Sequence, residues 1–287
     1  MCRSCPPPIP LPGPFMTSIA DTSSLIDKAA VSDRFGRAAP SYDAHAGLQL
    51  ACALSLLDMA PEELPDSRAL ELGCATAPLA RRQLSRWPDS RWLAVDLSPS
   101  MLAEARARGR TGERFQPLCA DAERLPLADA GLGLVYSSFA LQWCLPERAM
   151  AEVARVLVPN GHLLLAVPLA GSLHELRDSW AAADGARRPR LNRLPAETDW
   201  RRALEGAGLF PQQWRRMAFT EHYPDVRTLV RAFKATGVDH VQGGATGLTG
   251  KAAWRALCDA YEARRQPAGL PLTWDVLFVE AIKESHG

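Results

Sequence analysis

Residues 69–79 read "ALELGCATAPL". An apolar run ends in an acid, a glycine and a string of small residues, and Pro78 suits the first position of a following helix, where its missing N–H is no loss. This is the pattern of a buried strand entering a turn that cradles a nucleotide-like group. Such turns carry glycine at every second position. Here Gly73 is kept, while Ala75 and Ala77 stand in the other two places. The question is whether the turn still binds, or is the relic of one that did.

Outward from it, strands alternate with helices. "RALEL" is the first strand, and a helix is expected from about Pro78 to Trp87. "RWLAVDLS" (91–98) is a second strand ending in Asp96, and Ser98 and Pro99 open the next helix. "FQPLCAD" is a third, ending near Asp121, and "LGLVYSS" (132–138) a fourth. After a helix over about 147–157, "GHLLLAVPL" (161–169) is a fifth. That rhythm predicts parallel crossovers in a doubly wound α/β sheet. Upstream, residues 24–59 are helical, with Leu48, Leu50, Ala51, Leu54 and Leu57 as the expected apolar face. Past residue 170 the alternation breaks. Helices are expected over 172–184, 196–207, 225–236 and 250–264, with strands near 215–222 and 273–283. Residues 171–250 are expected to lie partly over the sheet as a lid.

The chain has 287 residues, 47% of them hydrophobic, and a formal net charge of +1. That supports one large core. It argues against a general nucleic-acid binder, which would be basic, and no apolar run is long enough to span a membrane. Seven scattered cysteines fit reduced thiols in the cytoplasm better than a disulfide framework. Cys2 and Cys5 have no second pair, so no metal site is expected. Residues 1–23 form a Pro-rich tail expected to be disordered, with Met16 as a second candidate start. The domain expected is 24–284: a helical segment 24–60, a cofactor-binding core 66–170, and a lid with the last strands, 171–284.

In open α/β sheets the ligand lies beyond the C-terminal strand ends. There the chain puts Glu71 and Gly73, then Asp96, 23 residues after Gly73, then Asp121. Asp96 suits two ribose hydroxyls and Asp121 an adenine amino group. Each Asp alone is equally well read as a helix N-cap. Together they point to a cofactor. The two alanines would crowd a pyrophosphate, so a phosphate-free cofactor fits better.

These residues resemble the class I S-adenosylmethionine-dependent methyltransferases. "LELGCATA" is similar to their first motif with the later glycines replaced, "LAVDLSPSMLAEAR" to their second strand and helix, "CADAERLPL" to their adenine loop, and "ARVLVPNGHLLLAV" to their fifth-strand region. The resemblance implies a Rossmann-like seven-stranded sheet, helices on both faces, a helical lid insertion, and a last strand that is antiparallel beside the sixth. It implies a cofactor set of Arg37, Glu71, Gly73, Cys74, Ala75, Asp96, Leu97, Met101, Asp121, Ala122 and Ser137, with S-adenosylmethionine as cofactor and no metal.

A narrower resemblance runs over about 27–284. "DRFGRAAPSYDAHAGLQ", "SSFALQWC", "GSLHELRDSW", "FKATGVDH" and "LPLTWDVLFVEAIKE" look like the malonyl-[acyl-carrier protein] O-methyltransferases of biotin synthesis. This implies a cytoplasmic monomer that methylates the free carboxyl of a malonyl thioester. Tyr42, Gln142 and Trp143 would be its acceptor-site residues. Arg37 would pair with the cofactor's carboxylate, and His45 and Lys234 would touch substrate. Trp143 reads equally as a packing wall, Arg37 as a solvated helix face, His45 as a structural hydrogen-bonder and Lys234 as an exposed cation. An acidic carrier needs a positive landing surface. Arg187, Arg188, Arg190 and Arg193, with Arg215 and Arg216, are candidates, and a solvated charge run is the plainer reading. Two alternatives stay open: another small acid or thioester as acceptor, and a non-catalytic S-adenosylmethionine-binding protein with a decayed turn.

Overall fold

The computed structural model describes residues 26–184, 191–235 and 250–285. The chain starts with helix α1 (Lys28–Ala38), whose N-cap Asp27 accepts the Ala30 N–H at 2.9 Å. After a 3-10 turn come α2 (Tyr42–His45) and α3 (Gly47–Leu57). Then follow β1 (Arg68–Leu72), α4 (Ala80–Arg86), β2 (Arg91–Asp96), α5 (Pro99–Ala107), β3 (Phe115–Cys119) and β4 (Leu132–Ser138). A 3-10 turn at Leu141–Trp143 leads into α6 (Pro146–Val156) and β5 (Leu157–Pro168). The remainder is α7 (His174–Asp184), α8 (Glu197–Gly206), β6 (Leu209–Tyr223), α9 (Val226–Ala235), α10 (Lys251–Glu262) and β7 (Leu270–Lys283).

The seven strands form one sheet in the order β3-β2-β1-β4-β5-β7-β6. Strands β1 to β5 pair in parallel, and β7 runs antiparallel between β5 and β6. The last strand is thus antiparallel and beside the sixth, as the resemblance implied. The order reverses between β1 and β4, which opens the crevice where ligands sit in such sheets.

Side-chain alternation along the strands builds a core on each face. Ala69 of β1, Leu134 and Tyr136 of β4, and Leu164 and Ala166 of β5 join α3 and α4 in one cluster. Leu70 and Leu72, Val135, Leu163 and Leu165 face the other way, against α6 and α8. Helix α7 packs with α10, and α8 with α6.

Two local expectations are refined. On α3, Leu48, Leu54 and Leu57 pack half-buried against the core as expected, but Leu50 and Ala51 are exposed and the fully buried residues are Cys52, Ala53 and Leu56. Small residues let α3 approach the sheet closely, and Tyr136 Oη donates to the Ala53 carbonyl. The helix expected from about Pro78 begins two residues later, at Ala80, and Ala77 sits at φ 53°, in the turn itself.

Candidate active site

The turn after β1 runs in left-handed backbone. Gly73, Ala75 and Ala77 have φ of 71°, 48° and 53°. This is the region only glycine visits without penalty, at roughly 1–2 kcal/mol for other residues. The two alanines therefore keep the glycine-type conformation and are strained in it. Gly73 has a second constraint, since a Cβ there would overlap the Ala140 methyl in the loop after β4. The turn is tied to β2: the Gly73 and Cys74 N–H groups both donate to the Val95 carbonyl, at 2.8 and 3.0 Å.

Asp96, at the end of β2, closes the turn. Its Oδ2 accepts the Ala75 N–H at 2.9 Å and its Oδ1 the Ser98 N–H at 2.8 Å. Each oxygen keeps a further lone pair for a ligand. Burial pushes the Asp96 carboxyl up to about 6, against the pull of these backbone donors. Glu71, which is buried, is pushed up to about 8 by that burial, with the Asp96 charge adding to it.

Two neighbouring chambers open over the strand ends. The first is lined by Lys28, Val31, Phe35, Tyr42, Gly73, Ala75, Asp96, Leu97, Asp121, Ala122, Phe139, Leu141, Trp143 and Cys144, among others. The second is lined by Tyr42, Asp43, Gln49, Leu50, Glu71, Gly73, Cys74, Ala75, Arg110 and Ser138, among others. Tyr42, Gly73 and Ala75 border both. Burial, then the nearby Asp96 and Asp43, raise the Tyr42 phenol, so it stays protonated at neutral pH. Phe35 packs edge-on against Trp143, with ring centroids 5.9 Å apart.

Of the residues singled out from the sequence, Tyr42, Glu71, Gly73, Cys74, Ala75, Asp96, Leu97, Asp121, Ala122 and Trp143 line one chamber or the other. Met101 is buried under the turn against Ala39 and Ala75. Ser137 is buried and donates to the Leu72 carbonyl at 3.0 Å. Gln142 donates from Nε2 to the Phe139 carbonyl at 2.8 Å and stands behind the lining. Arg37 is exposed; His45 is exposed too, with its Nδ1 2.9 Å from the Ser41 carbonyl. Lys234 falls on α9 by its backbone, with its side chain outside the described set; Arg187, Arg188 and Arg190 lie outside the described residues. Arg216 is engaged by Asp275 and Glu197.

Several contributors were not read from the sequence. Asp43 joins Thr76 with Arg108 and Arg110, at 3.0 and 2.6 Å for the two arginines, and so fastens α2 to the turn. Burial works against the Asp43 charge, but the Arg110, Thr76 and Arg108 contacts prevail and hold its carboxyl below the ordinary value. Lys28 reaches the opposite rim, 2.9 Å from Asp121 and 3.2 Å from Glu123.

Three buried polar atoms at the second chamber have no hydrogen-bond partner among the described residues: Glu71 Oε2, Gln49 Oε1 and Ser138 Oγ. Such atoms call for a partner, which can be a water, an ion or a ligand, and here all three face one chamber. The acceptor-rich second chamber fits a ligand end with several donors, such as an amino-acid ammonium. The first, with two carboxylates and apolar walls, fits a nucleoside. Among the described residues no three His, Cys, Asp or Glu side chains stand where a metal ion could be held. No described helix is long and apolar enough to cross a membrane.

Comparison with known proteins follows the same lines. A methyltransferase-domain family profile matches residues 70–165. The fold is similar to the YcgJ protein of Bacillus subtilis, with a TM-score of 0.57 and 19% identity over 81% of this chain and 98% of that one. It is also similar to a geranyl diphosphate methyltransferase solved with SAM, with a TM-score of 0.52 and 14% identity over 81% and 84%. A curated malonyl-[acyl-carrier protein] O-methyltransferase of Alcanivorax borkumensis is 55% identical over 99% of this chain and 100% of its own length. One from Herminiimonas arsenicoxydans is 37% identical over 90% and 97%. The chain belongs to the malonyl-[acyl-carrier protein] O-methyltransferase family.

Proposed function

We propose that the protein transfers a methyl group from S-adenosylmethionine to the free carboxyl of malonyl-acyl-carrier protein, giving the methyl ester that starts pimeloyl and biotin synthesis. The observation that carries the reading is full-length 55% identity to a relative of that name. The paired chambers support it, because their polar atoms are arranged as a nucleoside and an amino acid require.

When bound, S-adenosylmethionine supplies an electrophilic methyl on a sulfonium. Asp96 and Asp121 would hold the ribose and the adenine, and Glu71, Gln49 and Ser138 the ammonium end. The acceptor carboxylate is ionised at neutral pH, so no general base is required. The chain's task is orientation and exclusion of water. Phe35, Phe139, Leu141 and Trp143 supply apolar walls beside Tyr42. Tyr42, held as a neutral phenol, offers one donor to an acceptor oxygen without the grip of a full cation. A tight salt bridge would stabilise the ground state and blunt the nucleophile. Gln142, His45 and Lys234 remain candidates for the acceptor side, Arg37 for the cofactor's carboxylate, and Arg187, Arg188 and Arg190 for carrier docking. We read the protein as a cytoplasmic monomer that needs no metal.

The test is kcat/KM for malonyl-carrier protein, malonyl-coenzyme A and free malonate side by side. The carrier-bound substrate is expected to lead. A higher value for either small acceptor would contradict the assignment of the carrier.

A further inference from the structure

Lys28 is an odd choice for its position. It is the first residue of α1, where the partial positive charge of a helix N-terminus disfavours a cation. The sequence puts it there at a cost to the helix, and the return lies across the chamber. Lys28, Val31 and Phe35 share one face of α1, at spacings of three and four residues, and all three line the first chamber. Val31 is buried, and Ser32, beside it, donates to the Leu97 carbonyl at 3.1 Å. The helix is therefore the wall of the chamber that faces Asp96 and Asp121.

At the chamber rim, Lys28 Nζ meets Asp121 Oδ1 at 2.9 Å, Glu123 Oε1 at 3.2 Å and Cys144 Sγ at 3.3 Å. Asp121 Oδ1 also accepts the Glu123 N–H at 3.0 Å. Asp121 Oδ2 accepts nothing among the described residues. One oxygen of this carboxylate is doubly anchored, and the other is left as an acceptor in a carboxylate whose orientation is set. Burial lowers the Lys28 ammonium, but Cys144, Asp121 and Glu123 more than compensate and hold it charged.

We propose that Lys28 is a positioning residue for nucleobase choice: by anchoring Asp121 through Oδ1, it presents Oδ2 as a fixed, acceptor-only group that takes a 6-amino purine and rejects a 6-oxo purine. An adenine amino group donates to such an oxygen. A hypoxanthine carbonyl sets acceptor against acceptor, and a site built for one hydrogen-bonding pattern discriminates strongly against the other. The inference rests on the proposed S-adenosylmethionine site and adds to it the cation that makes the carboxylate selective.

The experiment is calorimetric titration of the full chain with S-adenosylhomocysteine and with S-inosylhomocysteine, for the parent, Lys28→Met and Lys28→Arg, with melting curves on each. The parent is expected to prefer the adenosyl ligand by roughly 100-fold or more. Lys28→Met should cut that preference by about tenfold, the scale of one hydrogen bond to a charged group, and Lys28→Arg should keep most of it. If Lys28→Met weakens both ligands equally, Lys28 only pins α1 and the proposal fails. Unchanged preference in Lys28→Met also overturns it. Should Lys28→Met not fold, Lys28→Ala gives the same reading, because it removes the cation and suits the start of a helix. Retained adenosyl preference in that variant contradicts the proposal. If the parent binds neither ligand, the cofactor site itself fails, and this inference with it.

Discussion

Two carboxylates end neighbouring strands of this sheet, and they are held in opposite ways. Asp96 is half-buried, accepts two backbone N–H groups, and is pushed up to about 6 by desolvation. Asp121 is a third exposed and is held by a side-chain cation from a helix 93 residues away in sequence. The first belongs to the rigid turn, whose shape the backbone of 73–77 sets. The second belongs to a rim whose geometry depends on α1 lying over it. The fixed half carries the strain, in Ala75 and Ala77, and the rim carries the charge. Rigid backbone suits the part of a ligand that must not move, and a side-chain clasp suits a wall that must admit it.

Changes to the fixed half should be the most damaging. Gly73→Val places a branched side chain at positive φ and into Ala140. It should cost about 4 kcal/mol or more, seen as a large drop in Tm or as loss of soluble protein. A parent-like melting curve would break the description of the turn. Asp96→Ala comes next. It removes the acceptor for Ala75 and Ser98 along with the ribose contact, and should weaken S-adenosylhomocysteine by roughly 10- to 100-fold in a calorimeter. Asp121→Ala should cost less, since the rim is more open to water. Equal losses would erase the distinction between the two carboxylates.

The same comparison gives a pH dependence. Glu71 and Asp96 titrate at about 8 and about 6 in the folded protein. Their unfolded values lie near about 4. Raised carboxylates contribute stability that is complete below the unfolded value and is lost as pH rises through the folded ones. The Tm of the ligand-free protein should therefore fall between about pH 4 and about pH 8 from these two groups. A ligand ammonium or hydroxyl favours their charged forms, so the rise in Tm on adding S-adenosylhomocysteine should grow over the same range. A rise that shrinks with pH would place the ligand elsewhere. The smallest effect expected is Ala75→Gly. Relief of left-handed strain, offset by the entropy of glycine, should stabilise the protein by about 1 kcal/mol or less, with ligand affinity equal or better. Distinctly weaker binding would mean that the Ala75 methyl shapes the site.

The sheet was legible because its strands are dense apolar runs: "RALEL" and "LGLVYSS" form β1 and β4 with the bounds expected. The ends of β1, β2 and β3 could be read too, since a topological rule says where ligands sit. Contacts from the N-terminal helices were less visible. Asp43 meets Thr76 across 33 residues and Arg108 across 65, and no periodicity announces such pairs. Lys28 left one signal that was passed over, a cation at a helix start. On α3 the leucines mark the face only in part: Leu48, Leu54 and Leu57 pack on the core, whereas the small Cys52 and Ala53 make the close approach that no apolar periodicity singles out. The strain at Ala77 was hidden because alanine suits a helix start equally well, and only the backbone angles tell the two apart.

The most direct test of the whole account is the mass of malonyl-acyl-carrier protein after incubation with this protein and S-adenosylmethionine. The account predicts a gain of one methyl group, borne as an ester on the malonyl carboxyl. An unchanged mass, from protein shown to be folded and loaded with cofactor, would contradict it.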